Sequence, residues 1–486
     1  MATARAQRRS DGHGPWGRNP PSDRDRASYA DAATAAYWLD LGPAMTDAPA
    51  LDGETECDLA IVGAGLSGLW AAVQALERAP GRSVVVLDAN RVGGAASGRN
   101  GGFVMSSLTH GIDNGLARFP DEMPQLERLG LENFDAITET VERYGIDCDL
   151  ERPGVLDVAV EEHELAGLAE YARRLEGYGH EASALDREQV QAELHSPLYL
   201  GGIWQRSGAG LLDPLKLTVG LAETAARLGA SIHEHSPVLS LRASGHEVDL
   251  VTSGGRVRAR KVLLATSAST GLVSAIRRRV VAVWDYVLVT EPLSESRLDS
   301  IGWRNRQGVS DLANRFHYYR LTADGRILFG GYDAIYHYRG GAGNELAQRD
   351  ESFAMLASHF FTAFPQLEGV RFSHRWGGAI DTCSRFFAFQ GTALDGRVGY
   401  TVGHTGLGVG ASRFGAAVAL DMLDGVAGPA TPLRAMRAKP LPFPPEPLRW
   451  AAIELTRNRL AAADRGGGER GLWLRTLDRL GLGFDS

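Results

Sequence analysis

Gly63-Ala-Gly-Leu-Ser-Gly68 sets three glycines at the spacing that lets a main chain close around a diphosphate. Gly63 permits a sharp turn, Gly65 removes the Cβ that would hold a pyrophosphate off the backbone, and Gly68 lets a helix pack closely on a strand. Leu66 and Ser67 open that helix, whose free N–H groups carry roughly +0.5 of a charge toward a phosphate. Asp88, followed by Ala89, lies twenty residues after Gly68 and can accept hydrogen bonds from a ribose hydroxyl. Its charge would repel a 2′-phosphate, so an adenine dinucleotide without that phosphate fits. The elements that must hold these groups are legible. Cys57-Asp-Leu-Ala-Ile-Val62 is an apolar strand, Leu69-Trp-Ala-Ala-Val continues the helix, and Ser83-Val-Val-Val-Leu87 is the second strand, ending at Asp88. This turn alone does not separate NAD from FAD.

A second glycine cluster, Val92 to Gly102, follows the ribose-binding strand directly. Ser97, Arg99 and Asn100 supply donors, while Gly98, Gly101 and Gly102 let the backbone lie against a flat ring or a diphosphate. A third, Gly403-His-Thr-Gly-Leu-Gly-Val-Gly410, enters a helical run through Ala416, Ala419, Leu420 and Leu423. It offers another helix N-terminus to negative charge. His404 stands beside it and can touch cofactor or substrate. His317, Tyr319, Arg320, His374 and Trp376 are further pocket candidates. Arg320 can pair a carboxylate or phosphonate through two parallel bonds, or be a surface arginine beside a hairpin turn.

Through Ala96-Ser-Gly-Arg-Asn-Gly-Gly102 and the turn before it, the chain resembles the D-amino-acid-oxidase-like superfamily of FAD-dependent oxidoreductases. The likeness is greatest to its γ-glutamylputrescine-oxidoreductase-like branch and covers roughly residues 35 to 425. The resemblance implies an α/β fold: an FAD-binding Rossmann-like domain of the glutathione-reductase type, interleaved with an α+β substrate domain built on a mixed sheet. It implies that Val238 holds the adenine through its backbone and that the strand ending at Thr266 lies beside FAD, where Ser267 replaces a usual glycine. It also places Gly406, Leu407, Gly408 and Val409 under the isoalloxazine, where their N–H groups stabilise negative charge on the reduced ring. Many members of the branch carry histidine at the position of Leu407. The activity implied is oxidation of a C–N bond in a primary or secondary amine or amino acid. Hydride passes to flavin N5, and the imine hydrolyses to an aldehyde or keto acid. The catalytic residues expected are His404, Tyr319 and Arg320, the cofactor FAD held non-covalently, and the final acceptor oxygen or an electron carrier. Cys383 is the cysteine weighed as a flavin tether. Two other readings stay open, oxidation of an alcohol-type carbon and a non-catalytic FAD-binding subunit. A flavin halogenase is disfavoured because no Trp-x-Trp-x-Ile-Pro motif is present.

The expected partition is as follows. Residues 1–34, rich in Gly, Pro, Arg and Asp, read as a disordered tail. Segments 35–105, 206–280 and 391–430 form the FAD-binding domain, and 106–205 with 281–390 the substrate domain. Residues 431–486 are a proline-rich linker with a C-terminal helical extension. Asp213-Pro214 caps and starts a helix, and the Asp324-Gly325 turn joins Phe316–Arg320 to Arg326–Gly331 as a hairpin.

With 486 residues and a net charge of −8, the chain can bury a large core and is a poor match for nucleic acid or anionic membrane. Three cysteines give neither a disulfide framework nor metal spacing. Arg5, Arg8 and Arg9 are followed by no apolar core, and no run approaches the ~20 apolar residues of a membrane span. A cytoplasmic enzyme acting on a small molecule is expected, with a homo-oligomer compatible.

Overall fold

Two eight-stranded sheets organise the chain, and a two-stranded ribbon pairs Phe103–Met105 with Ala209–Leu211. The structure, a computed structural model, describes residues 15–17, 20–43 and 47–483. The first sheet runs in the order Phe389–Ala393, Val398–Val402, Gly255–Leu264, Gly53–Val62, Val84–Leu87 and Ala230–His233. Its central pairings are parallel, and the antiparallel strands Glu247–Val251 and Ser240–Ser244 extend from Gly255–Leu264. Leu59 to Val62 is a continuous apolar run because helices or loops cover both faces of a parallel strand. Leu59 and Ile61 enter one core with the helices Leu66–Arg78 and Pro214–Arg227, while Ala60 and Val62 enter the core on the opposite face. Asp213 caps the second of these helices, accepting from the Leu215 N–H at 2.9 Å and the Lys216 N–H at 3.0 Å.

The second sheet runs Phe372–Thr382, Val281–Thr290, Ile327–Gly331, His317–Leu321, Gly308–Asp311, Val155–Ala159, Gly201–Gln205 and Ala182–Leu185. It is mixed, since Gly308–Asp311 pairs in parallel with Val155–Ala159 and the other pairings are antiparallel. The turn at Asp324-Gly325 joins the expected hairpin, with Arg320 opposite Leu328. Period-two alternation divides the residues. Leu156, Leu288, Tyr319, Leu321 and Phe329 pack with Phe353 and Phe360 of the helix Asp350–Ala363, and the opposite face looks into a large cavity.

The expectation of disorder over 1–34 does not hold for the residues described there; 1–14 and 18–19 lie outside the described residues. Ser22 and Asp25 form a reciprocal capping box that starts a helix at Asp23–Ser28. Tyr29 is buried with its hydroxyl donating to Asp350 Oδ1 at 2.9 Å, and Trp16 packs 4.3 Å from the His317 ring. Ala33 adds to the sheet edge: its N–H donates to Ser373 O at 2.8 Å, and its carbonyl accepts from the Arg375 N–H at 2.9 Å. A polar average conceals these anchors.

The extension forms two helices, Leu448–Arg465 and Leu472–Arg479, and both pack on the body. The Asp464 carboxylate accepts from the Asn314 N–H at 3.0 Å, Asn314 Nδ2 at 2.6 Å and the Arg315 N–H at 3.3 Å. The Tyr336 hydroxyl donates to Glu446 at 2.5 Å, and the Phe443 N–H donates to Arg278 O at 2.7 Å.

Candidate functional site

The first glycine turn leaves the strand Gly53–Val62 at Gly63, whose φ of +109° a side chain would strain. A Cβ on Gly65 would meet Ser97 Oγ at 2.7 Å, and one on Gly68 would fall 1.8 Å from Gly63 O. Gly63, Gly65, Leu66 and Ser67 face the cavity; Gly68 serves the helix–turn packing behind them. The Leu66 N–H donates to Ser97 Oγ at 2.9 Å, which ties the two glycine clusters together. Asp88 accepts from the Ala64 N–H at 2.7 Å and the Asn90 N–H at 2.8 Å, one on each oxygen. Burial lifts its carboxyl above the ordinary range while these N–H groups pull it back. Each oxygen keeps a second lone pair for a ribose hydroxyl. Ala89, Val238 and Thr266 line the same end. Ser267, where the resemblance puts a usual glycine, takes the left-handed conformation at φ +48° and lines the cavity.

In the second cluster Ser97, Arg99, Asn100 and Gly101 line the cavity. Asn100 is not the free donor expected. Its Nδ2 donates to Ala96 O at 3.1 Å and Ser97 O at 3.0 Å, and its Oδ1 accepts from the Gly102 N–H at 2.8 Å. Both amide hydrogens knit the loop instead. The indoles of Trp38 and Trp376 hold the loop from behind, donating to Asn100 O at 2.8 Å and Arg99 O at 2.9 Å. Gly101 is needed for close approach, since a Cβ there would meet the Tyr318 ring at 2.8 Å. Gly102 turns the chain behind the cavity at φ +75°.

The third cluster arrives from the strand Val398–Val402 and opens the helix Gly408–Asp424. His404, Gly406, Leu407, Gly408 and Val409 all line the cavity, and the N–H groups of this first helical turn have no partner within the helix. One carboxylate fixes the loop. Asp381 Oδ2 accepts from the Gly403 N–H at 2.7 Å and from His404 Nδ1 at 3.1 Å, and Oδ1 accepts from the His404 N–H at 3.2 Å. The other ring nitrogen, Nε2, stands 3.4 Å from Ser67 Oγ. Cys383 is fully buried off the cavity, with its thiol donating to Phe387 O at 3.1 Å.

Tyr319 and Arg320 are placed otherwise than expected. Tyr319 points into the core behind the sheet, its hydroxyl 2.5 Å from that of Tyr199. Arg320 is not a surface group, and it does not line the cavity. It is 2% exposed and spends its donors on the carbonyls of Leu212, at 2.7 Å, and Leu321, at 3.1 Å. Strand parity explains the first, and the roof of Gly102 and Leu212 over the guanidinium explains the second. His317 is locked in the same core between Asp311, at 2.7 Å, and His359, at 2.9 Å. His374 lies at the sheet edge with Asp40 at 3.1 Å.

Groups not anticipated from sequence occupy the cavity instead. The Tyr318 hydroxyl donates to Asp285 Oδ2 at 2.6 Å, and the Tyr286 N–H donates to Oδ1 at 2.7 Å. Burial pushes the Asp285 carboxyl up to about 6, against the pull of these bonds. A lone carboxylate in the apolar strand Val281–Thr290 was the available signal. The cavity, about 1650 Å³, runs from Asp88 and Val238 past Ser97–Gly101 and Gly406–Val409 to Asp157 and Tyr171. Its lining also includes Ile453, Arg457, Trp473 and Leu477 of the C-terminal extension. Among the described residues, no cluster of His, Cys, Asp and Glu is arranged to hold a metal, and no helix is long and apolar enough to cross a membrane.

The residues fit FAD. Two helix N-termini open on one elongated cavity, backbone approaches it where a Cβ on Gly65 or Gly101 would collide, and a carboxylate stands at the ribose position.

Comparison with known proteins agrees with this geometry. The family model DAO, described as FAD dependent oxidoreductase, matches residues 58–422. The γ-glutamylputrescine oxidoreductase of Escherichia coli is 32% identical over 81% of this chain and 89% of that protein. A probable oxidoreductase OrdL of Haemophilus influenzae is 31% identical over 71% of this chain and 78% of its own length. The structure of L-proline dehydrogenase from P. horikoshii superposes with a TM-score of 0.64 at 18% identity, covering 78% of this chain and 95% of that one.

Proposed function

Because the chain belongs to the DAO family of FAD-dependent oxidoreductases, we propose that it oxidises the C–N bond of a primary or secondary amine or amino acid. FAD, when bound, supplies the two-electron acceptor for the C–H bond beside nitrogen. The protein's own work is to orient that carbon, to favour the uncharged amine and to stabilise the charge that accumulates. The Asp285–Tyr318 pair carries the reading. It is a polar couple beside Gly101, in the cavity and next to the ring-binding loop. Val283, Val287 and Ile380 supply apolar wall around it, which lowers the proton affinity of an incoming amine. Asp285, pushed up to about 6, can accept the proton the ammonium must lose. The first-turn N–H groups at Gly408 and Val409, with His404 held by Asp381, would hold the flavin ring and stabilise negative charge on it. The acid–base pair proposed for the site is then Asp285 with Tyr318, beside His404, in place of the Tyr319 and Arg320 expected from sequence. Water then hydrolyses the imine to an aldehyde or keto acid, releasing ammonia or an amine. Oxygen or an electron carrier takes the electrons onward, and steady-state peroxide formation separates the two.

Anaerobic bleaching of the bound flavin tests the reading with primary amines, N-methyl amino acids, γ-glutamyl amines and matched alcohols. Amines are expected to bleach it. Bleaching by alcohols alone, or by nothing in the panel, overturns it.

A further inference from the structure

The cavity continues well past the ring-binding loops, across the exposed face of the second sheet. The cavity of about 1650 Å³ includes the stretch from Asp88 to Val409 that the cofactor would fill, and its lining goes on beyond that stretch to Asp157, Tyr171 and Ile203. One registered row crosses that face: Val287 pairs with Gly330, Gly330 with Tyr318, Tyr318 with Ser310, Ser310 with Asp157, and Asp157 with Ile203. Val287, Tyr318, Ser310, Asp157 and Ile203 all line the cavity, and the Tyr318 ring lies over Gly330, where a Cβ would meet it at 2.7 Å. Neighbouring strands lie about 4.8 Å apart, so Asp157 stands about 10 Å beyond the Tyr318 position.

The carboxylates at this far end are not equivalent. Glu127 is matched by His180 at 2.9 Å, and Asp113 is paired with Arg174. Glu164 accepts from the Val160 N–H at 2.7 Å and the Glu161 N–H at 2.9 Å, and Asp311 is held by His317. Asp157 has no hydrogen-bond or ion-pair partner among the described residues, and the charge it feels most is another carboxylate, Asp311. It lies deep in the molecule, and its open side is the cavity. An isolated buried carboxylate is costly unless a cation or donor compensates it. Between it and Tyr318 the walls include the apolar Val155 and Leu312, suited to methylene groups.

We propose that Asp157 is a subsite for a second cationic nitrogen of the substrate, so that long diamines and polyamines are the amine class this cavity selects. The inference rests on the amine reading above, with the reacting end beside Gly101 and Tyr318. An extended chain advances about 1.2 Å per bond, so the nine bonds between the nitrogens of 1,8-diaminooctane span about 11 Å and the four of 1,3-diaminopropane about 5 Å. The longer probe reaches Asp157 and the shorter does not.

The test uses FAD-loaded enzyme with its flavin already reduced by dithionite, so that binding is read by calorimetry without turnover. In the wild type, 1,8-diaminooctane is expected to bind about ten- to a hundredfold more tightly than octylamine, and 1,3-diaminopropane is expected to gain nothing comparable. In Asp157→Asn the diamine advantage should vanish while octylamine stays within about twofold of wild type. The inference is overturned if the long diamine binds no better than octylamine to the wild type, or if Asp157→Asn keeps the preference. The wild-type comparison decides even if the variant folds poorly. Failure of the amine reading itself shows elsewhere, in oxidised enzyme that no amine bleaches.

Discussion

Asp381→Asn tests how the cofactor loop is held. The carboxylate takes three hydrogen bonds from Gly403 and His404, at 2.7, 3.1 and 3.2 Å, all in a buried setting. An amide of the same shape keeps one oxygen. If that oxygen retains the two bonds made by Oδ2, the new NH2 group faces the His404 N–H and strands it, at about 1–3 kcal/mol. The two surviving bonds lose their charge assistance, about 1 kcal/mol more between them. The total is about 3 kcal/mol, or about 150-fold in an equilibrium constant. That loss divides between loop order without cofactor and the affinity for FAD. Two measurements capture both shares: the FAD dissociation constant from flavin fluorescence, and the unfolding free energy of the cofactor-free chain. Their changes should sum to about 3 kcal/mol. If both quantities stay within about 0.5 kcal/mol of wild type, the clamp is not what orders the loop and the reasoning fails.

Tyr318→Phe removes a donor that favours the charged form of Asp285, so that carboxyl should titrate above its present value of about 6. The acidic limb of kcat/KM for an amine then moves to higher pH, and a profile that superposes on wild type rules Asp285 out as the proton acceptor. For Asp157 the folded carboxyl stands at about 7 against about 3.9 unfolded, so the folded state binds more protons between those values. Wild-type stability therefore falls as pH rises from about 4 to 7 through this group, and the melting-temperature advantage of Asp157→Asn should widen over the same window; a constant difference contradicts the burial argument. Arg320→Met leaves buried carbonyls at Leu212 and Leu321 without their donor and should cost about 2–4 kcal/mol in denaturant unfolding, while KM for the amine stays unchanged. A raised KM would restore the substrate role expected from sequence. Truncation after Ala438 removes Ile453, Trp473 and Leu477 from the cavity wall, so iodide should quench the bound flavin severalfold more effectively; unchanged quenching would place the extension outside the wall.

What could be read from sequence was local in its physics. The turn at Gly63, the cap at Asp213 and the hairpin at Asp324-Gly325 depend on a few adjacent residues, and the structure contains all three. What could not be read was set by partners distant in sequence. In Phe316-His-Tyr-Tyr-Arg320, period-two alternation requires one tyrosine in the core and one in the cavity, yet nothing in the run says which. The choice is made by Gly101 and Gly330, whose missing side chains admit the Tyr318 ring. Arg320 shares the face of Tyr318, but Gly102 and Leu212 close over it. Asp285 was visible as a lone acid in an apolar strand, and its meaning required the hydroxyl from two strands away. Trp16 and Tyr29 were hidden by the polar residues around them.

The same division bears on function. The three glycine loops lie within residues 58–422, the span matched by the family model, and their geometry follows from main-chain requirements at positions such as Gly65 and Gly101, where a Cβ would collide. The rest of the cavity wall follows no such rule. Asp157 comes from the second sheet, while Ile453, Trp473 and Leu477 come from helices beyond the matched span. A relative can therefore share every cofactor contact and still present a different wall to the distal part of its substrate. Binding of FAD and choice of amine are separable in this chain. A substitution at Asp157 should change which amine is taken without changing flavin affinity, and one at Asp381 should do the reverse.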